Sequence, residues 1–492
     1  MSRRPRTVLL SFSAFLAASG MMLSACSEKQ SGPVVVSVIG TPRQLADPMR
    51  DILSPAGKLM LESTAQGLVA FDARGDILPA LAQRWIVQDD GRSYIFRLRR
   101  ARWANGARIK AVDVAALLKN RIAANLALDS HGDLAAIQEV SSMTGEVLEI
   151  RLSVPRPYLL QMLAQPQMAI TRRDGGTGPY RKEKRGEAWF LRPIVDDNAD
   201  DEEPIAPWEN RVLRAERGSM AIARFKQGLS SLVLGGRYSD IPLLKRADID
   251  NRDVHVDPVQ GLFGFAVVGR SDFLNDDRVR AALNMAIDRT PLPDAFALSG
   301  WVITDRLMTQ QLDLPAAPAA PSWSAMPMDD RRSTARAAIA IWRNDNGAIP
   351  RLRIAMPKGS GSRLLYSLIA ADLSRIGVPS QQVERDADAD LRLIDEVAAY
   401  DSASWYLGRV SCARKVHCDP AAQERLIEAE MAPTLEVSQA RLAEAYDLMT
   451  AHNGYIPLSM PVRWSLATRA LNGFAPSSRA RHPLNQLFRA TN

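Results

Sequence analysis

From Val34 to the end of this 492-residue chain, strand-like and helix-like stretches take turns. That alternation confines the fold to sheets covered by helices, because each strand and each amphipathic helix must bury its apolar side against the other. VVVSVIG (residues 34–40) is a continuous β-branched run, the pattern of a buried strand. Residues 59–66 mix Ala, Leu, Met and Gln and stop at Gly67, as a helix with a glycine stop would. Residues 94–98 alternate apolar and polar, and Asn105-Gly106 marks a turn. AVDVAALLKNRIAANLA (111–127) has the 3.6-residue period. Its Asp113 falls in the first turn, where a carboxylate suits the helix dipole. VLEIRLSVP is another alternating strand. ARFKQG, RVRAALNMAIDR, RLLYSLIAADLSRIG and SQARLAEAYDLMTAH are further amphipathic helices. The Pro/Ala-rich LDLPAAPAAPSW (312–323) reads as a surface loop. An α/β or α+β architecture follows, without internal repeats.

The first residues read MSRRPRTVLLSFSAFLAASGMMLSAC. Three arginines precede an apolar run too short to span a bilayer comfortably, so residues 1–25 are expected to be a secretory signal. Leu23-Ser24-Ala25-Cys26 matches the bacterial lipobox, which implies cleavage before Cys26 and its diacylation. The alternative is an ordinary signal peptide with a chance cysteine. Several acyl chains would hold the mature protein on a membrane surface, with residues 26–32 as the tether. No later stretch approaches the roughly 18 uninterrupted apolar residues of a membrane helix. The roughly 460 residues that remain exceed one hydrophobic core, so two or three domains are expected.

The net charge of +7 falls to +4 once Arg3, Arg4 and Arg6 leave with the signal. Basic residues are dispersed, and acids such as Asp200, Asp201, Glu202 and Glu203 are interleaved with them, so no nucleic-acid stripe forms. The five histidines (His131, His255, His417, His452 and His482) are scattered. No HExxH, GxSxG or phosphate-loop motif is present, so neither an enzyme nor a cofactor site is expected. After Cys26, the remaining cysteines are Cys412 and Cys418. In an oxidising compartment a disulfide is the simplest reading, and chain entropy gives it roughly 2 kcal/mol. Free thiols and a metal site with His417 are the alternatives. Against metal, adjacent His417 and Cys418 point in different directions and no fourth ligand stands nearby.

Several segments, in order, resemble one family: the large extracellular solute-binding proteins (family 5) of peptide- and nickel-type ABC importers. The densest match runs from residue 67 to 120. It carries Gly67, Leu68, Val69, Gly75, Pro79, Leu81, Ala82, Trp85, Asp90-Gly91, Tyr94, Phe96, Leu98, Arg99, Trp103, Gly106, Asp113 and Val114. GTGPY (176–180), ARFKQGL (223–229), DDRVRAALNMAIDR (276–289), IAADLSRIGV (369–378) and GYIPLSMP (454–461) continue the series. The resemblance covers nearly the whole mature chain. Each piece alone is weak, and Trp85, Tyr94, Phe96 and Trp103 suit core packing as well as ligand contact.

The resemblance implies a two-lobed α/β clamshell of the periplasmic-binding-protein type, with hinges where the chain crosses between lobes. By analogy, lobe I holds residues 33–256, with an extra subdomain at about 60–170. Lobe II holds 257–457, and 458–492 return to lobe I. It also implies a monomeric, periplasmic, lipid-anchored protein that captures a small, peptide-like solute and delivers it to ABC permease and ATPase subunits. In the family, a tryptophan near the cleft is followed by an acid that pairs with a peptide's α-ammonium. Trp405 fits the tryptophan, but Tyr406-Leu407-Gly408 leads to Arg409, while Asp401 and Asp419 lie off the expected position. The strand-like GFAVVG also has Val268 where asparagine often stands. An arginine there favours an anion. Trp405 and Tyr406 are therefore expected as cleft walls and Arg409 as the polar contact, unless Arg409 is a solvated loop charge and the aromatics are core. The departures leave a second reading open: a diverged clamshell with a sensing, chaperone or envelope-contact role. Ser27 after the lipidated cysteine resembles an outer-membrane sorting signal, which leaves the choice of membrane open.

Overall fold

A computed structural model describes residues 32–49, 53–103, 105–128, 133–172, 175–194 and 205–489. The expected signal segment 1–25, Cys26, the rest of the tether up to residue 31, His131 and the acidic run 200–203 lie outside the described residues. No helix among the described residues is long and apolar enough to cross a membrane.

Val34–Ile39 is the middle of a seven-stranded sheet, in the order Tyr180–Arg185, Ala188–Pro193, Arg211–Glu216, Val34–Ile39, Leu232–Arg237, Arg463–Ala467, Val254–Val256. It pairs in parallel with both of its neighbours. A strand flanked and covered on both faces reads as continuous β-branched residues rather than as alternation, which is why VVVSVI suits this place.

The insertion between these strands builds a smaller unit. Ala82–Gln88, Ser93–Leu98, Val147–Leu152 and Ile137–Ser142 form an antiparallel four-stranded sheet, accompanied by the helix Ala111–Leu128. Its core holds Leu81, Tyr94, Phe96, Trp103, Leu118 and Ile150. Ile86 and Val87 remain exposed, as an antiparallel sheet with one wet face permits.

The second large sheet runs Ser380–Glu384, Leu352–Met356, Leu391–Val397, Gly261–Val267, Tyr455–Ser459. Helices Asp277–Ala286, Met328–Asn346 and Ser360–Arg375 contribute buried faces to its core. Ala403–Arg409, Pro420–Glu430 and Leu435–Ala451 form an adjoining core of their own. The chain leaves the first sheet at Val256 and enters the second at Gly261. It leaves the second at Ser459 and re-enters the first at Arg463. Residues 257–260 and 460–462 are the two crossings of a two-lobed clamshell.

Three local departures from the sequence expectation have physical causes. The helix expected to stop at Gly67 is Pro55–Thr64, and Ala65 is already extended. Gln66 then pairs with Ile170 across an isolated bridge, so tertiary pairing ends the helix before the glycine does. The loop 312–323 has no regular structure, yet Leu314 and Trp323 are buried and anchor it. GTGPY is a packing device as well as a turn, because a Cβ on Gly178 would overlap the backbone of Thr64 and Ala65. Its glycine lets the chain before Tyr180–Arg185 lie directly on the end of the helix Pro55–Thr64. Gly178→Ala should therefore lower the thermal unfolding midpoint, with an overpacking cost of about 1–3 kcal/mol. An unchanged midpoint would refute this account of the motif.

Candidate functional site

The lobes meet along a seam that is apolar at one side and charged towards the other. On the apolar side, Tyr238 follows the strand Leu232–Arg237 and stacks edge-on against Phe263 of the second sheet, with ring centroids 4.9 Å apart. Its hydroxyl pairs with the Ser362 hydroxyl at 2.8 Å. Burial holds the Tyr238 phenol above its ordinary pKa. Gly361 lets the second lobe approach here, since a Cβ would run into the Tyr238 carbonyl.

The charged part begins at Asp395 on Leu391–Val397. Arg463 Nη1 donates to Asp395 Oδ1 at 2.6 Å, and Arg237 Nη1 stands 3.7 Å from Asp395 Oδ2. Asp395 and Arg463 are both nearly buried, so each is compensated mainly by the other. Desolvation lowers the Arg237 pKa, and the nearby Arg463 charge lowers it further. Next along the strand, Glu396 receives Arg409 at 3.3 Å.

The C-terminal tail supplies the next pair. Arg479 forms an ion pair with Asp401 and donates to the Ala398 carbonyl at 3.0 Å. Arg481 reaches Glu62 at 3.2 Å and Gln165 Oε1 at 2.6 Å. Gln165 Nε2 in turn donates to the Ala399 carbonyl at 2.7 Å, tying the small sheet unit to the second lobe. The stacked pair Tyr158–Tyr400 adds a contact across the same gap.

Lys58 faces Arg481, Arg237, Arg463 and Glu62 from the helix Pro55–Thr64. Its side chain is reached by solvent but stands deep among protein atoms. Desolvation first, then the three arginines, push its ammonium down to about 8, against the weaker pull of Glu62.

A separate opening lies between Pro155, Arg156 and Tyr158 on one side and Ser402, Glu430 and Leu435 on the other. Its polar groups serve structural bonds. Asp313 accepts from Ser402 Oγ and Ala403 N at 2.6 Å each, and Arg156 Nη2 donates to the Glu430 carbonyl at 2.6 Å. The charged seam, not this opening, holds side chains with donors to spare.

Of the residues expected from sequence, Trp405 and Tyr406 are buried and stacked edge-on at 4.9 Å. They belong to the core of Leu426, Leu442 and Tyr446. The buried Nε1 of Trp405 meets no hydrogen-bond acceptor among the described residues. Desolvation, then the Asp401 charge, hold the Tyr406 phenol above its usual range. Arg409 sits over the Trp405 ring, 5.5 Å from its centroid, and pairs with Glu396. Asp401 belongs to Arg479, and Asp419 caps the helix Pro420–Glu430 by accepting from Ala421 N at 2.8 Å. Cys412 and Cys418 are joined as a disulfide, with Cα atoms 5.4 Å apart. His417 donates from Nε2 to the Gly269 carbonyl at 2.6 Å, and burial pushes its imidazole down to about 4. No group of three or more His, Cys, Asp or Glu among the described residues could hold a metal ion.

The profile of bacterial extracellular solute-binding proteins, family 5 (middle part), matches residues 76–201. The periplasmic oligopeptide-binding protein OppA of Escherichia coli is 25% identical over 269 residues, 46% of this chain and 47% of that protein. The alignment thus spans about half the length of this curated relative. Among solved structures, OppA of Haemophilus influenzae in complex with RPPGFSPFR superposes with a TM-score of 0.77 at 16% identity, covering 94% of this chain and 99% of that one. NikA of Brucella suis in complex with Fe(III)-EDTA superposes at 0.74 and 16% identity, covering 93% and 100%. The chain is similar to the family 5 bacterial extracellular solute-binding proteins, in sequence over residues 76–201 and in fold over nearly its whole length.

Sequence reasoning did not name Lys58, Arg237, Asp395, Glu396, Arg463, Arg479 or Arg481. One signal was available, because LRLIDEV places two adjacent carboxylates at the end of an apolar strand. The cations come from four distant segments, and nothing local marks them. Asp395→Asn keeps the shape but leaves Arg463 uncompensated. It should lower the urea unfolding midpoint, for a cost of about 3–5 kcal/mol. A midpoint equal to wild type would show that the ion pair does not hold the lobe junction.

Proposed function

We propose that this chain is the solute-capturing subunit of an ABC importer, anchored in the periplasm through a lipid on Cys26. A small, peptide-like solute bridges the two lobes and shifts the population towards the closed form. That form docks on a permease, whose partner ATPase supplies the energy. The protein performs no chemistry. The observation that carries this reading is the seam itself: two separately built sheets, joined by two short crossings, present charged side chains to one another. Trp405 and Tyr406 pack in the core behind this seam, where Trp405 keeps a buried, unpartnered Nε1, and Arg409 over the Trp405 ring contributes charge at Glu396.

The second reading, a clamshell that senses or contacts envelope partners without transport, is favoured by one observation. The acids nearest Trp405 are both committed, Asp401 to Arg479 and Asp419 to a helix cap, so neither is free for a peptide ammonium. Native mass spectrometry of the mature chain with Cys26→Ser, exported to a periplasm, separates the two. An adduct released on denaturation supports capture, and bare protein supports the second reading. Arg479→Ala removes an inter-lobe ion pair and should weaken binding of that adduct by about tenfold with no new ligand class. Unchanged affinity would detach this pair from closure.

A further inference from the structure

Lys58 and Arg237 stand at the same end of the first sheet, near the lobe junction, with unused side-chain donors. The start of the helix Pro55–Thr64 lies at the carboxyl ends of the parallel strands Val34–Ile39 and Leu232–Arg237. Pro55 packs against Gly235, whose φ of +83° and missing side chain admit it. Open α/β sheets bind ligands outside the carboxyl ends of their strands. One turn further along this helix is Lys58. An i,i+4 partner, Glu62, is available on the same helix and would ordinarily take a lysine. Here Glu62 is taken by Arg481 instead.

Among the described residues the Lys58 ammonium makes no hydrogen bond and no ion pair; only its backbone N–H is engaged, by the Ser54 carbonyl at 2.8 Å. Arg237, with five N–H donors, makes no side-chain hydrogen bond and only the long 3.7 Å approach to Asp395. Asp395 is already held by Arg463 at 2.6 Å. The groups facing Lys58 are thus Glu62 from its own helix, Arg237 and Arg463 from the adjoining strands, and Arg481 from the tail. That is three cations against one carboxylate. A cation in such surroundings is unfavourable for the empty protein, and an anion arriving from solvent relieves it. The other carboxylates of the seam, Glu396 and Asp401, are each engaged by an arginine, which leaves little to hold a ligand ammonium.

We infer that Lys58 and Arg237 together receive an anionic group of the bound solute, a carboxylate or a phosphate, and that this pair selects acidic solutes over cationic ones. The inference rests on the solute-capture reading and names the class of solute. A carboxylate at this pair accepts from the Lys58 ammonium and from the Arg237 fork, and closing the lobes removes both from water, where such bonds are strongest. Binding restores the charged form of Lys58, so proton uptake accompanies it near pH 8.

The test uses the mature chain with Cys26→Ser and four probes in titration calorimetry: succinate, inorganic phosphate, N-acetyl-trialanine with a free carboxylate, and trialanine amide with a free amine. We expect at least one of the first three to bind and the amide not to. Succinate against phosphate separates the two anion chemistries. Lys58→Met should weaken the binding at least tenfold, whereas Lys58→Arg should retain it to within about threefold. At pH 8, paired buffers of different ionisation enthalpy should report proton uptake that Lys58→Met lacks. Lys58→Met should unfold no earlier than wild type when empty, which separates loss of binding from loss of fold. Unchanged binding in Lys58→Met, tight binding of trialanine amide, or no binding by any anionic probe at millimolar concentration would overturn the inference. If an adduct without an acidic group is carried by both wild type and Lys58→Met, capture stands and only the anion pair falls. If neither an adduct nor a bound probe is found, both fall.

Discussion

The carboxylate of Asp395 is the point on which the geometry of the lobe junction depends. It sits on a strand of the second sheet, yet its partners, Arg463 and Arg237, belong to the first. Arg463 is the first residue after the chain has crossed back, so its bond to Asp395 fixes the returning crossing at its end. Trp464, the next residue, is fully buried and donates from Nε1 to the Arg237 carbonyl at 2.9 Å. One carboxylate thus joins two strands of one sheet to the other sheet, and a buried tryptophan locks the first pair of strands together. An ion pair of this kind contributes position more than net stability, because desolvation of its charges offsets much of their attraction.

Around that point the apolar and charged surfaces divide the work. The core containing Val233 and Tyr238 of the first lobe is continuous with Phe263, Phe265 and Trp301 of the second. This side stays dry and close, and Gly361 permits the approach. The charged side has fewer apolar contacts across it and is held by individual ion pairs and single hydrogen bonds, such as Arg479 to Asp401 and Gln165 to Ala399. Asp401 is half exposed but Arg479 and Gln165 are nearly buried, so a ligand that displaces these contacts must supply new partners for the buried donors. A clamshell needs this asymmetry, with one permanent side and one negotiable side.

Much of the architecture was legible because it is written locally. VVVSVIG reads as a buried strand, and the structure places it at the middle of the first sheet, between two parallel neighbours. The alternation in residues 94–98 reads as a strand with one wet face, and it is one. The family resemblance gave the order in which these pieces assemble. The cleft was less legible, because its charges come from a helix near residue 58, strand ends near 237, 395 and 463, and a tail near 480. No periodicity or spacing links them, since they meet only after both crossings are made. Asp401 shows the same limit from the other side. In the sequence it is a stray acid before Trp405, and only the fold brings it to Arg479, seventy-eight residues later.

Lys58 makes the cost of such a site visible. A folded chain selected for stability alone would pair that lysine with Glu62 four residues on, or replace it with an apolar residue. Instead the fold spends Glu62 on Arg481 and leaves the ammonium beside three guanidinium groups, where burial and repulsion lower its pKa together. Its lowered pKa means the charged form is disfavoured in the folded state, so this destabilisation is present below about pH 8 and fades as pH rises through the ordinary lysine range. Strain of this sort persists where something outside the chain relieves it. In a clamshell the relief is coupled to shape: an anion at Lys58 and Arg237 sits beside the Asp395 junction that both lobes share. Filling the charge vacancy and bringing the lobes together then become a single equilibrium, in which the differential affinity of the two forms for the anion sets how far the population moves.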